Sequence, residues 1–154
     1  MNILFLDYDG VVNNIVWNEE GTKADYGHPH RGFVNNRQAC LWLSEFCEKH
    51  NYKIVVTSTW RLHPNYVECL YAGGLRKNVE VIGCVGRLSA GRGAEIMEYL
   101  SHHPEVEKWI VLDDEDCSVG YEEIKDHQVL CLTNGGFNLE EFELAELLDR
   151  KQDK

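Results

Sequence analysis

Residues 3–14 read ILFLDYDGVVNN. Four apolar residues run without interruption into Asp7, Tyr8, Asp9 and Gly10. Asp-Gly between apolar pairs is a strong hairpin signal, so one reading makes this stretch two antiparallel strands. The apolar run argues for another. A half-buried hairpin strand alternates apolar and polar residues, whereas a continuous run suits a parallel strand covered on both faces. On that reading the two aspartates stand at the carboxyl end of a buried strand.

The rest of the chain repeats the pattern. NILFL (2–6), YKIVVT (52–57), VEVIGCV (79–85), KWIVLDD (108–114) and QVLCLT (128–133) read as strands. NRQACLWLSEFCEKH (36–50) places Ala39, Leu43, Phe46 and Cys47 on one helical face. HPNYVECLYAGG (63–74) reads as a helix with Pro64 near its start and glycines after its end, and GAEIMEYLSHH (93–103) as one stopped by Pro104. LEEFELAELLDRK (139–151) reads as a closing amphipathic helix with Leu139, Phe142, Leu144 and Leu147 as core residues. Residues 13–34 contain Gly21, Gly27, Pro29 and Gly32 and read as a loop or small flap. This series predicts an α/β fold, an open and mostly parallel sheet with helices on both faces. Ligands in such sheets bind beyond the carboxyl ends of the strands. Those ends carry Asp7 and Asp9, Thr57 and Ser58, and Asp113 and Asp114 with Asp116 following, and they are expected to converge.

Composition narrows the class. The chain has 154 residues, 44% hydrophobic and 27% charged, as for one ordered soluble domain. No apolar run approaches the roughly 20 residues of a membrane span. The start MNILFLDYDG has neither a basic segment nor a small-residue cleavage site, so a cytoplasmic protein is expected. The six cysteines contain no C-x-x-C pair and read as reduced core thiols. The net charge of −11 is uneven: 1–60 carry five basic and seven acidic residues, 61–93 five and two, and 94–154 five and 17. The acidic tail argues against tight duplex DNA binding, while the basic middle suits a phosphate or a short single strand.

Together these motifs resemble a known family. D-x-D-G-V after a first strand, a strand ending in Thr-Ser, a basic residue at a following helix and a strand ending in Asp-Asp are the four signatures of the haloacid dehalogenase (HAD) superfamily, in its order. The wording TSTWR (57–61) and WIVLDD (109–114) is similar to the small HAD domains associated with RNA-repair proteins. Polynucleotide 3′-phosphatases and 5′(3′)-deoxyribonucleotidases are also similar. The resemblance implies a Rossmann-like sheet and a phosphomonoesterase that works through an aspartyl-phosphate. Asp7 is then the nucleophile. Asp9 protonates the leaving group and afterwards activates water, and Gly10 lets the chain turn beside the phosphate. Several carboxylates around one phosphate need a counter-charge, and hard oxygen ligands point to Mg²⁺. Its ligands would be Asp7, the backbone carbonyl of Asp9, and Asp113 or Asp114. Thr57 and Ser58 would bind phosphate oxygens.

The family has Lys at the basic position. This chain has none between 86 and 100. Arg92 is the choice, with Arg87 and Arg61 as rivals, and Arg61 a further phosphate contact. An arginine can clamp phosphate oxygens through two donors. Residues 13–35 are too few for a separate cap domain and read as a short flap. His28, His30 and Arg31 lie there as candidate substrate contacts, with a plain loop as the alternative. Trp60, Trp17 and Tyr26 are candidates to stack on a base, with a core role as the alternative. The substrate expected is a nucleotide or a nucleic-acid terminal phosphate. The alternatives are a small non-nucleotide phosphomonoester, or a phosphate-binding or interaction module without turnover.

Overall fold

A computed structural model describes residues 1–15, 33–131 and 136–153. Strands β1 (Asn2–Leu6), β4 (Tyr52–Val56), β5 (Val81–Cys84), β6 (Lys108–Asp113) and β7 (Gln128–Leu130) form one sheet in the order β5-β4-β1-β6-β7. All pairings in it are parallel. The stretch 3–14 is therefore not a hairpin. Its first half is the central strand, between β4 and β6, so its apolar run is covered on both faces.

Period-two alternation splits the strands between two cores. Leu4, Leu6, Ile54, Val56, Ile110 and Leu112 face α1 (Arg37–His50), α2 (Tyr66–Gly73) and α5 (Leu139–Lys151). Ile3, Phe5, Val55, Trp109 and Val111 face α3 (Arg92–Ser101) and the short α4 (Glu122–Lys125). The fold is the expected α/β sheet between two helical layers, and no separate cap domain stands over it among the described residues. Two short strands, β2 (Asn13–Ile15) and β3 (Phe33–Asn35), pair antiparallel and bring the ends of the flap segment together.

Several element boundaries differ from the sequence reading. The helix expected over 63–74 is split. A 3₁₀ turn covers Thr59–Leu62, capped by the Ser58 side chain, and α2 begins only at Tyr66, two residues past Pro64. The helical stretch Glu122–Lys125 had no periodicity long enough to show itself. In α1 the expected residues Ala39, Leu43, Phe46 and Cys47 are all buried. In α5 only Phe142 of the four expected core residues is buried, while Leu139, Leu144 and Leu147 are exposed. The buried stripe is Glu141, Phe142, Ala145, Leu148 and Asp149. Its two acids have partners there. Asp149 Oδ1 accepts from Tyr52 Oη at 2.8 Å and Lys108 Nζ at 3.2 Å, and Glu141 accepts from the Asn138 backbone in a capping box. Polar residues with partners took the inward face, so counting leucines misplaced it. The six cysteines are free, with Cys40, Cys47, Cys117 and Cys131 buried. No described helix is long and apolar enough to cross a membrane.

Candidate active site

Strand register builds the site. Leu6 is level with Val56 and Leu112. The next residue on each strand is Asp7, Thr57 and Asp113, which makes one row across three strands. Asp7 N donates to Leu112 O at 3.0 Å and Thr57 N to Leu6 O at 2.9 Å. Alternation sends this row to the face of Phe5, Val55 and Val111, the face covered by α3. Arg92 opens α3 and reaches the row, with Nη1 2.7 Å from Asp113 Oδ2 and 3.4 Å from Asp7 Oδ1. Gly93 permits that approach, because a Cβ on it would lie 2.6 Å from the Cys117 carbonyl oxygen. Helix α3 thus seats directly against the loop after β6.

Ligand-capable oxygens of Asp7, Asp113 and Asp114 lie within 4.8 Å of one another. Burial pushes the Asp7 carboxyl well above the usual range; Asp113 adds to this and Arg92 opposes it. Partial burial and then Asp113 push Asp114 up to about 6. Burial disfavours the charge on Arg92, but Asp7 and Asp113 outweigh it and hold the guanidinium firmly protonated. Asp113 is engaged on both oxygens. Oδ1 accepts from Glu115 N at 3.0 Å, and Oδ2 accepts from Arg92 and from the Cys117 thiol at 3.4 Å. Gly10 makes the turn after Asp9 with φ +84°, and a Cβ there would sit 2.5 Å from Asp114 Oδ2. Three close carboxylates, two of them buried, with one arginine against them fit a hard divalent cation.

The remaining predicted residues separate. Thr57 Oγ1 is buried with no hydrogen-bond partner among the described residues. Ser58 Oγ instead accepts from Trp60 N at 3.2 Å as the cap of the 3₁₀ turn. Asp9 Oδ1 accepts from Trp60 Nε1 at 2.8 Å and Asn13 Nδ2 at 3.0 Å. Trp60 is 1% exposed, so it belongs to the core and offers no face to a base.

Arg61 does not join the acidic row. Its Nη1 donates to Thr57 O at 2.7 Å and Ser58 O at 2.9 Å, Nε to Val85 O at 3.1 Å, and Nη2 to Glu95 Oε2 at 2.9 Å. Arg87 is exposed. Asp116 turns back to Ser118, accepting from N at 2.9 Å and Oγ at 2.6 Å. Trp17, Tyr26, His28, His30 and Arg31 lie outside the described residues. Sequence reasoning missed Asn13 and Glu95, which carry no motif. It noticed Trp60 but for its ring rather than its N–H.

A family model, the HAD domain in Swiss Army Knife RNA repair proteins, matches residues 3–142. The chain belongs to this family. The match spans all four motifs, and the parallel sheet with Asp7 at the end of its central strand is that of a HAD domain. No curated protein matches the chain significantly.

Proposed function

We propose that this HAD domain is a Mg²⁺-dependent phosphomonoesterase acting through an aspartyl-phosphate on Asp7. The observation that carries the reading is the row Asp7, Thr57 and Asp113, with Arg92 Nη1 within 3.4 Å of both acids. Asp7 attacks phosphorus while the bond to the leaving oxygen breaks, and Asp9 gives that oxygen its proton. Asp9 then takes a proton from water, the water oxygen bonds to phosphorus, and the Asp7–phosphorus bond breaks to release phosphate. Arg92 binds the phosphoryl oxygens and favours the ionised, attacking form of Asp7. The Thr57 hydroxyl, without a partner among the described residues, donates to a phosphate oxygen, and Ser58 contributes through its backbone. Gly10 keeps the turn open beside the phosphate.

Asp7, the backbone carbonyl of Asp9 and Asp114 are the expected Mg²⁺ ligands. The engagement of both Asp113 oxygens favours Asp114 over Asp113 as the direct ligand. When bound, Mg²⁺ positions the phosphoryl group and neutralises its charge.

The substrate we propose is a nucleotide or a nucleic-acid terminal phosphate, supported by the RNA-repair association of the matched family. We read the chain as one domain with 13–35 as a short flap, in a cytoplasmic setting that suits six free thiols. Asp7→Asn should abolish hydrolysis of an aryl phosphate in Mg²⁺, and EDTA should do the same to the unsubstituted protein. Retained turnover in either experiment overturns the mechanism. A panel of 3′-phosphorylated oligonucleotides, mononucleotides and sugar phosphates tests the substrate. Equal or better rates on sugar phosphates discard the nucleic-acid reading.

A further inference from the structure

We infer that Trp60 is a positioning residue for the proton transfers of Asp9. The inference rests on the phosphatase reading and adds a residue that no strand-end motif contains. Trp60 is buried, and its ring packs 5.2 Å from that of Tyr8, the residue between the two aspartates. Tyr8 is itself fixed, its Oη donating to Tyr66 O at 2.7 Å. The indole is thus locked by packing, with its N–H aimed at Asp9 Oδ1 at 2.8 Å. Asn13 Nδ2 donates to the same oxygen at 3.0 Å.

Two N–H bonds on Oδ1, one of them from a rigid indole, fix the χ angles of Asp9, so its carboxyl keeps one direction relative to the Asp7 nucleophile. The anchor comes from the turn after β4 and Asp9 from the turn after β1. The phosphate ligand Thr57 and the proton donor Asp9 are thereby registered against each other through three residues of chain, 58–60. A tryptophan held only for packing would need no acceptor at that distance, although a buried indole N–H does find one as a rule. Kinetics separate the two roles.

Proton donation matters for a poor leaving group and little for a good one. Trp60→Phe should lower kcat/KM for an alkyl phosphate roughly 10- to 100-fold, the worth of a hydrogen bond to a charged group. It should leave kcat/KM for a nitrophenyl phosphate within about threefold, since that leaving oxygen needs no acid. Asp9→Asn should show the same pattern more strongly. Equal losses on both esters, or no loss on either, overturn the inference. A measurement free of turnover guards against a variant that folds poorly. Asp9→Ala should move the Trp60 indole ¹⁵N–¹H resonance, because it removes the Oδ1 that the N–H meets at 2.8 Å. An indole resonance indifferent to Asp9 overturns the inference while leaving the phosphatase reading intact. Failure of the unsubstituted protein to hydrolyse either ester, with the indole still responding to Asp9→Ala, overturns the phosphatase reading and the catalytic role of Trp60 with it.

Discussion

Arg61 and Glu95 form a buried ion pair, Nη2 to Oε2 at 2.9 Å, with their side chains 6% and 7% exposed. Glu95 Oε2 also accepts from Leu88 N at 3.0 Å, and Arg61 holds the carbonyls of Thr57, Ser58 and Val85. The pair ties the ends of β4 and β5 to the first turn of α3, so it fixes Thr57 and Arg92 relative to each other.

Removing either partner leaves a buried charge without compensation. Glu95→Ala and Arg61→Ala should each destabilise the fold by about 3–5 kcal/mol, read as a lower denaturation midpoint in urea. Arg61→Lys should rescue little, because one ammonium cannot reach acceptors spread around a planar fork. A substrate contact at Arg61 would instead raise KM and leave the midpoint where it was.

Thr57→Val should separate stability from activity. The substitution keeps the shape and removes a buried hydroxyl that has no partner among the described residues. An unsatisfied hydroxyl costs about 1–3 kcal/mol, so the variant should melt at the same temperature as the parent or higher. Its affinity for inorganic phosphate, measured by calorimetry, should fall. A lower melting temperature would show that the hydroxyl is already satisfied in the folded chain.

Arg92→Ala removes the one cation within reach of Asp7 and Asp113 among the described residues. The loss of electrostatic stabilisation should cost about 10²–10³ in kcat, with partial recovery in Arg92→Lys. Assays of both variants at saturating Mg²⁺ check this. Near-normal kcat in Arg92→Ala would return the basic role to exposed Arg87.

Gly10→Ala combines two faults. A side chain at φ +84° is disfavoured by about 1–2 kcal/mol, and its Cβ would collide with Asp114 Oδ2 at 2.5 Å. The variant should lose stability and also bind Mg²⁺ more weakly, because the collision displaces a proposed ligand. Denaturant titrations with and without Mg²⁺ read both effects.

The pH response follows from Asp7 and Asp114. Both carboxyls hold their protons more tightly in the folded chain than at the ordinary value of 3.8, with Asp114 at about 6. Ionising them therefore disfavours the folded state. Without metal, stability should fall as pH rises from about 4 through 6 and beyond. Mg²⁺ needs the ionised oxygens, so its stabilising effect should grow across the same range. Melting temperatures at pH 5 and pH 7.5, with and without Mg²⁺, test both trends. Asp114→Asn should flatten the metal-free slope and shrink the Mg²⁺ shift.

Much of the site was legible in the sequence because parallel strands are short and buried on both faces. A continuous apolar run announces such a strand, and the residue after the run is at its carboxyl end. That logic places Asp7, Thr57 and Asp113 at strand ends from the sequence alone, and the α1 face Ala39, Leu43, Phe46 and Cys47 follows from helical period. It failed where burial was decided by partners rather than by hydrophobicity. Asp149 and Glu141 displaced three leucines from the inner face of α5 because Tyr52, Lys108 and the Asn138 backbone were there to meet them.

The sequence by itself determined the class of fold and which residue types end its strands, since periodicity and chain order are local properties. Only the tertiary structure decided how Arg61, Arg92, Ser58 and Trp60 divide the work. Their donors have several acceptors within reach in principle, and the choice among them depends on which strand ends come together. Register set Asp7 level with Thr57 and Asp113, α3 brought Arg92 to them, and Glu95 drew Arg61 away.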